Sequence, residues 1–242
     1  RENTMSLRKN FRPLYRQVYD VLTQRLVSGY WRPADVLPSE FALADELGVS
    51  QGTVRKALNK MVSEKLLHRK QGKGTYVSEH TQESSLYRFF RLRRRDGEGL
   101  IPETRVVGSR RRKATRAECT SLDARQELVV ELTRQRFLEG IPVVVERVIQ
   151  PLSIFPDIDK VPQIPNSLYT LYQERFGISI ASVRDGVRAA ALPTKYAKYL
   201  KLKPAAPVLL IERASLSIDG RVVELSQAYC STEEFVYAVE VN

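Results

Sequence analysis

The sequence predicts an α+β protein in two parts: a small helical head that ends in a β-hairpin, then a larger domain built on an antiparallel sheet. Three observations carry that prediction. Two helix-period patterns separated by a short turn are followed closely by a glycine-rich hairpin. A polar stretch with no apolar anchor comes next. Beyond it, strand-like runs are joined by turn dipeptides, with two helices set between them.

The head occupies residues 5–78. Across residues 14–28 (LYRQVYDVLTQRLVS) apolar side chains recur at Leu14, Val18, Val21, Leu22 and Leu26, the spacing of one helical face. Gly29 ends that helix, and Trp31 with Pro33 opens a turn. In LPSEFALADEL, Ser39 after Pro38 suits a helix N-cap, with Glu40 near the positive end of the helix dipole. Phe41, Ala44 and Leu47, or Leu43 and Leu47, are the inward-facing candidates. Gly48 permits a sharp turn, and Ser50 caps the next helix. That helix runs to about Ser63, with Val54, Leu58, Met61 and Val62 apolar and Arg55, Lys56, Asn59 and Lys60 between them. Leu67–Lys70 and Thr75–Ser78 read as short strands around Gln71-Gly72-Lys73-Gly74. A helix-turn-helix followed by such a hairpin is a winged helix-turn-helix. Residues 79–85 (EHTQESS) read as a linker.

The second domain occupies residues 86–242. Its strand-like runs are Thr104–Gly108, Leu128–Leu138, Val143–Gln150, Val183–Ala191, Val208–Leu216 and Val222–Cys230, with helices over Ser167–Phe176 and Thr194–Leu200. Glu139-Gly140 and Asp219-Gly220 each sit between two such runs as hairpin turns. Consecutive hairpins give an antiparallel sheet with helices beside it.

Composition narrows the function. The chain of 242 residues carries a net charge of +11, and the excess is uneven. Residues 5–80 are net +6 and residues 88–116 net +8, whereas residues 117–242 are net −2. A basic first half and a nearly neutral second half fit a polyanion-binding module followed by one of another purpose. No apolar run approaches the length of a membrane span, and no secretory leader pattern opens the chain. The only cysteines, Cys119 and Cys230, make no disulfide framework and point to a reducing, cytoplasmic compartment. With only His68 and His80 beside them, no zinc ligand set is expected, nor any other metal or cofactor.

LPSEFALADELGVS, TVRKAL and QGKGTYV, at matching separations within residues 14–78, resemble the GntR family of bacterial transcription regulators. In a winged helix-turn-helix the second helix enters the major groove by its N-terminal residues. Gln51 suits adenine and Arg55 suits guanine in bidentate fashion, and four residues apart they share one face. Gly52 allows close backbone approach, while Ser50 and Thr53 suit phosphate. Lys56 and Lys60, further round, suit backbone charge. Ser39 is counted with the DNA-binding set, and Gly72 and Lys73 on the wing would reach the minor groove or a phosphate. The alternative for this face is local: Ser50 and Thr53 only cap the helix and Arg55 only pairs with a carboxylate. The family often has Arg where this chain has Phe41 and Gln51, which implies a lost contact at Phe41 and a shift from guanine towards adenine at Gln51.

Residues 86–242 resemble the UTRA effector-binding domain, which marks the HutC subfamily and shares the chorismate-lyase fold. TRQRFLEGIPVVVERVIQP, SLYTLYQERFGISI and VLLIERASLSIDGRVVELSQAYC carry that resemblance. Arg134 and Arg136, two apart on a strand, point to one face, and Glu146 on the return strand can lie beside them. Two guanidiniums and a carboxylate in a sheet cavity suit an anionic ligand bearing hydroxyl or amino groups. The resemblance implies an effector there: a sugar phosphate, an amino-acid derivative or an organic acid. Ser167 and Tyr169 at a helix start would add hydroxyls and N–H groups. Glu224, Ser226 and Cys230 share a strand face with Tyr229 opposite, and Phe89 or Phe90 would form an apolar wall. The competing reading of Arg134, Arg136 and Glu146 is a surface salt-bridge ladder. The basic runs FFRLRRRDG and SRRRK have no assigned role.

The function that follows is a ligand-controlled, sequence-specific DNA-binding repressor, a homodimer on double-stranded operator DNA, with no membrane partner and no catalytic residues. The competing class is a lyase-like enzyme fused to a DNA-binding head, but no nucleophile–base set supports it, and fold alone licenses no activity.

Overall fold

The computed structural model describes residues 12–79, 89–95, 100–124 and 127–239. The chain divides into two compact units, Arg1–Glu79 and His80–Asn242. Residues 80–85 of the sequence-derived linker lie outside the described residues.

In the first unit, helix α1 (Leu14–Val27) buries Val18, Leu22 and Leu26. Its predicted first apolar residue, Leu14, at the first turn of the helix, is exposed instead. Helix α2 (Glu40–Leu47) is capped by Ser39, whose hydroxyl accepts the N–H of Ala42 at 3.1 Å, and ends on Gly48 at φ +64°. It buries Leu43 and Ala44, so Phe41, one of the inward candidates, points out and is 73% exposed. Helix α3 (Gln51–Ser63) starts on Ser50, whose hydroxyl accepts the N–H of Thr53 at 3.2 Å. It buries Val54, Ala57, Leu58 and Met61. The three-residue turn between α2 and α3 matches the spacing read from the sequence. The wing is β1 (Leu67–Lys70) paired antiparallel with β2 (Gly74–Val77), one residue earlier than predicted on its second strand. Gly72 at φ +69° and Gly74 at φ +116° make the tight turn possible, since both lie where a side chain is disfavoured.

The second unit is built on six antiparallel strands in the order β4-β5-β6-β9-β8-β7. These are β4 (Glu103–Lys113), β5 (Leu128–Leu138), β6 (Ile141–Pro151), β7 (Ile180–Ala191), β8 (Pro207–Ser217) and β9 (Val222–Cys230). A separate ribbon pairs β3 (Leu92–Arg94) with β10 (Phe235–Tyr237). The further α-helices among the described residues are α4 (Arg116–Ser121), α5 (Leu168–Phe176) and α6 (Thr194–Leu200). Helix α4 and strands β3 and β10 were not legible in the sequence, being too short to show a period.

The sheet is covered on both faces. On one, α5 packs Leu168, Tyr169 and Tyr172 with Phe155 and Ile158 over Val130, Leu132, Val148 and Val223. On the other, Tyr196, Ala197 and Leu200 of α6 cover Val145, Leu210 and Tyr229. Burial of both faces explains why consecutive residues of β5 and β6, and not only alternate ones, are buried.

The run SRRRK lies on edge strand β4. Its arginines are spent locally: Arg110 and Arg112 on Glu131, Arg112 also on Glu118, and Arg111 on Asp157 and Asp159. Charges along an edge strand also discourage pairing with a foreign strand.

Candidate functional site

Two sites emerge, one in each unit. In the head, the exposed start of α3 presents Gln51, Gly52, Arg55 and Lys56 on one surface. Ser50 and Thr53 share a hydroxyl–hydroxyl bond at 2.8 Å, so both are first of all capping groups. A Cβ built on Gly52 meets nothing nearer than Ser50 Oγ at 3.9 Å. The protein itself therefore has no packing need for glycine at that exposed position.

Arg55 is not wholly free. Its Nε donates to Glu40 at 2.7 Å, and Arg69 on β1 donates to the other oxygen of Glu40 at 3.1 Å. One carboxylate thus ties the start of α2, the first turns of α3 and the wing together. The alternative reading of Arg55 is half right: it pairs locally, yet its side chain stays 55% exposed. Arg69 was missed in the sequence because a lone arginine on a four-residue strand carries no pattern. Lys56 leans over the Tyr15 ring at 4.4 Å and Lys60 bonds Glu64 at 2.6 Å, which draws both towards neighbours within the head. Gly72 and Lys73 sit at the exposed tip of the wing.

In the second unit, a cavity lies on the sheet face between the start of α5 and the β3–β10 ribbon. Arg134 faces Glu146 across β5 and β6 and meets it at 2.5 Å, while Arg136 Nε donates to the same oxygen at 2.9 Å. All three line the cavity and are at most 9% exposed, so the surface-ladder reading is overturned. A register shift after Arg136 turns these residues to one face: the bulge sets Arg134 opposite Glu146. Buried and without a hydrogen-bond partner among the described residues are Nε of Arg134 and Nη1 of Arg136.

Behind Tyr169 and Glu224, which line the cavity, runs a buried chain of hydrogen-bonded polar groups. Tyr169 and Ser215 share a bond at 2.8 Å, Ser215 donates to Glu224 at 2.8 Å, Tyr172 donates to the other Glu224 oxygen, and Gln150 donates to Tyr172 at 2.7 Å. Burial raises the Glu224 pKa against the lowering effect of those hydroxyls. Ser167 caps α5 by accepting the N–H of Thr170, and it lines the cavity with Tyr169. Phe89 and Phe90 both line it, Phe89 edge-on to Tyr169 at 4.9 Å.

Arg213, missed in the sequence, also lines the cavity. It makes a two-pronged pair with Asp185 at 2.7 Å on each arm, and Tyr237 of β10 donates to the same carboxylate at 2.8 Å. A signal for it existed: across the Asp219-Gly220 hairpin, Arg213 falls opposite Ser226 and Ser215 opposite Glu224.

Glu146 is pushed up by burial but pulled further down by Arg134 and Arg136, to about 2. Glu118 is held at about 2 chiefly by its bonds from Arg112. Both folded values lie below the ordinary 4.5, so their stabilisation is fully present above that pH and is lost as pH falls towards 2. The urea midpoint of the full chain should therefore be level above pH 5 and drop between about 4.5 and 2; a midpoint flat across that window contradicts these pairings.

Comparison with known proteins matches each of the two units to a family model. The family model for bacterial regulatory proteins of the gntR family matches residues 14–77, and that for the UTRA domain matches residues 97–236. The transcriptional repressor NagR of Bacillus subtilis is 26% identical over 93% of this chain and 93% of its own. The mannosyl-D-glycerate transport/metabolism system repressor MngR of Escherichia coli is 29% identical over 94% and 95%. A solved ligand-binding domain from Bordetella bronchiseptica superposes with a TM-score of 0.60 at 28% identity, covering 64% of this chain and 99% of that one. Among the described residues no helix is long and apolar enough to cross a membrane.

Proposed function

This chain belongs to the GntR family of bacterial regulatory proteins, HutC subfamily, with a UTRA domain behind its DNA-binding head, and on that footing we propose that it is a homodimeric repressor released from its operator by a small anionic effector. That it is a DNA-binding transcriptional regulator controlled through the UTRA domain, and not an enzyme, follows from the family.

The observation that carries the effector's chemistry is the pair of buried guanidiniums, Arg134 and Arg136, lining one cavity with donors that have no hydrogen-bond partner among the described residues. Burying cations is costly unless they are paired, and one carboxylate, Glu146, serves both. A phosphate or carboxylate accepts from such forks in planar, charge-assisted fashion, with Ser167 and the first N–H groups of α5 beside it. Glu224, with its ring of hydroxyls, then takes the hydroxyl- or amino-bearing part. Phe89 closes the apolar side. The names of the relatives include repressors of mannosyl-D-glycerate and fructoselysine systems, consistent with a sugar-derived ligand.

The free space in the cavity is only about 80 Å³, room for a few waters. A ligand of sugar-phosphate size must move a wall. Phe89–Leu92 forms one wall of the cavity. An effector that lowers operator affinity does so by favouring a spacing of the two heads of a dimer that does not match a palindromic site. On the DNA side, Ser39, Ser50, Gln51, Gly52, Thr53, Arg55, Lys56, Gly72 and Lys73 form the contact surface, with Gln51 and Arg55 reading bases. A cytoplasmic location follows from that role.

A thermal-shift screen of the full chain with hexose phosphates, amino-acid derivatives and small organic acids tests this reading. An anionic compound should raise the melting temperature and release the operator, and its uncharged analogue should do neither. Stabilising ligands that all leave operator binding untouched would overturn it.

A further inference from the structure

Four arginines line the cavity of the second unit, and they stand on two sides of it. Arg134 and Arg136 project from β5 and share one carboxylate, Glu146, so one guanidinium charge is left over there. Arg213 projects from β8 and is matched by Asp185 of β7 through two bonds of 2.7 Å.

The fourth is Arg91, at the start of the ribbon. Its carbonyl accepts the N–H of Ala238, the neighbour of Tyr237, whose hydroxyl reaches Asp185 at 2.8 Å. Burial pushes the Asp185 carboxyl up, but Arg213, Tyr237 and the charge of Arg91 together pull it below its ordinary value. Arg91 therefore stands on the Arg213 side. Among the described residues its half-buried side chain has neither a hydrogen bond nor an ion pair. Asp185 is already taken by Arg213, so this side too has one guanidinium charge in excess.

The sheet keeps the two sides apart. In the order β5-β6-β9-β8, Arg134 and Arg213 are three strands from each other. Three steps of about 4.8 Å set their backbones roughly 14 Å apart, and the side chains reach inward from each side. An anionic group held by Arg134 and Arg136 answers the excess on β5 and leaves that of Arg91 unanswered. Between the two sides, on β9, lies Glu224, which also lines the cavity.

We propose that the effector carries two anionic groups, one held by Arg134 and Arg136 and the other by Arg91 beside Arg213, with a hydroxyl or amino group between them at Glu224. This rests on the effector-binding role of the cavity and narrows it. Phosphorylated hydroxy acids and hydroxylated dicarboxylic acids have this chemistry; a compound with one anionic group fills only half of the site.

Calorimetric titration of the full chain with four small compounds tests it. 3-Phosphoglycerate has a phosphate, a carboxylate and a hydroxyl between them, and malate has a second carboxylate in place of the phosphate. Glycerol 3-phosphate and glycerate each keep only one of the anionic groups of 3-phosphoglycerate. A two-anion compound should bind about ten-fold or more tighter than both one-anion compounds, the low end for hydrogen bonds to a charged group. Whichever of 3-phosphoglycerate and malate binds tighter identifies the second group as phosphate or carboxylate. Arg91→Gln should melt at the wild-type temperature and abolish the two-anion advantage, leaving the one-anion compound bound at β5 unaffected. Arg91→Lys, which restores the charge, should recover part of the advantage. Two-anion compounds that bind no tighter than the one-anion compounds overturn the proposal. So does an Arg91→Gln protein that keeps the full advantage, or one that loses equally on all four compounds. Binding of none of the four overturns the anionic-effector reading itself.

Discussion

Arg55→Ala should weaken binding to the operator by about 1–3 kcal/mol per half-site, the worth of a bidentate arginine on guanine. The magnitude separates the two readings of this residue. If Arg55 did no more than pair with Glu40, an exposed pair of that kind would contribute about 0–1 kcal/mol to folding and nothing to DNA affinity. Glu40 also keeps Arg69 as a partner, so the variant should melt close to the wild type. Fluorescence anisotropy at fixed salt, on operator and on a scrambled duplex, gives the answer. Loss on the operator alone marks base reading; equal loss on both duplexes marks a phosphate contact, and no loss marks a purely local role.

Glu146→Ala should lower the folding stability of the second unit by about 3–5 kcal/mol, because it strands two buried guanidiniums facing each other. That is a large part of the roughly 5–15 kcal/mol that holds a domain folded. Replacing all three charges together, Arg134→Met, Arg136→Met and Glu146→Leu, should cost far less, since the desolvation of every ion is then removed. Urea denaturation followed by the circular dichroism of the sheet measures both. The single tryptophan, Trp31, lies in the head and follows that unit separately. A triple variant that is stable but binds no anionic ligand would show that the trio is kept for recognition.

Much of this was legible in the residues. Ser39 and Ser50 announced two helix starts, Gly48 the turn between them, and Gly72 and Gly74 the wing, because each is a residue type that one backbone geometry demands. The alternation of Glu224, Ser226 and Cys230 gave the cavity face of β9, and the hairpin at Asp219-Gly220 carried enough register to have found Arg213. What was hidden depended on irregularity or on contacts between distant elements. The bulge after Arg136 that sets Arg134 against Glu146 leaves no mark in the sequence. Nor does the Glu40 bridge from α2 to α3 and the wing, which spans 15 and 29 residues. Phe41 went astray for a related reason: its periodicity fitted the inward face as well as Leu43 did, and only the packing of α1 and α3 decided between them.

The central measurement is one of linkage. Take the compound from the screen that most stabilises the full chain, and measure its affinity with and without saturating operator duplex. If ligand and operator favour different states of one dimer, operator should weaken the ligand by the same factor by which saturating ligand weakens the operator, on the order of 5–150-fold. Ligand affinity that is unchanged by operator would contradict control of the head through the cavity, however tightly each is bound alone.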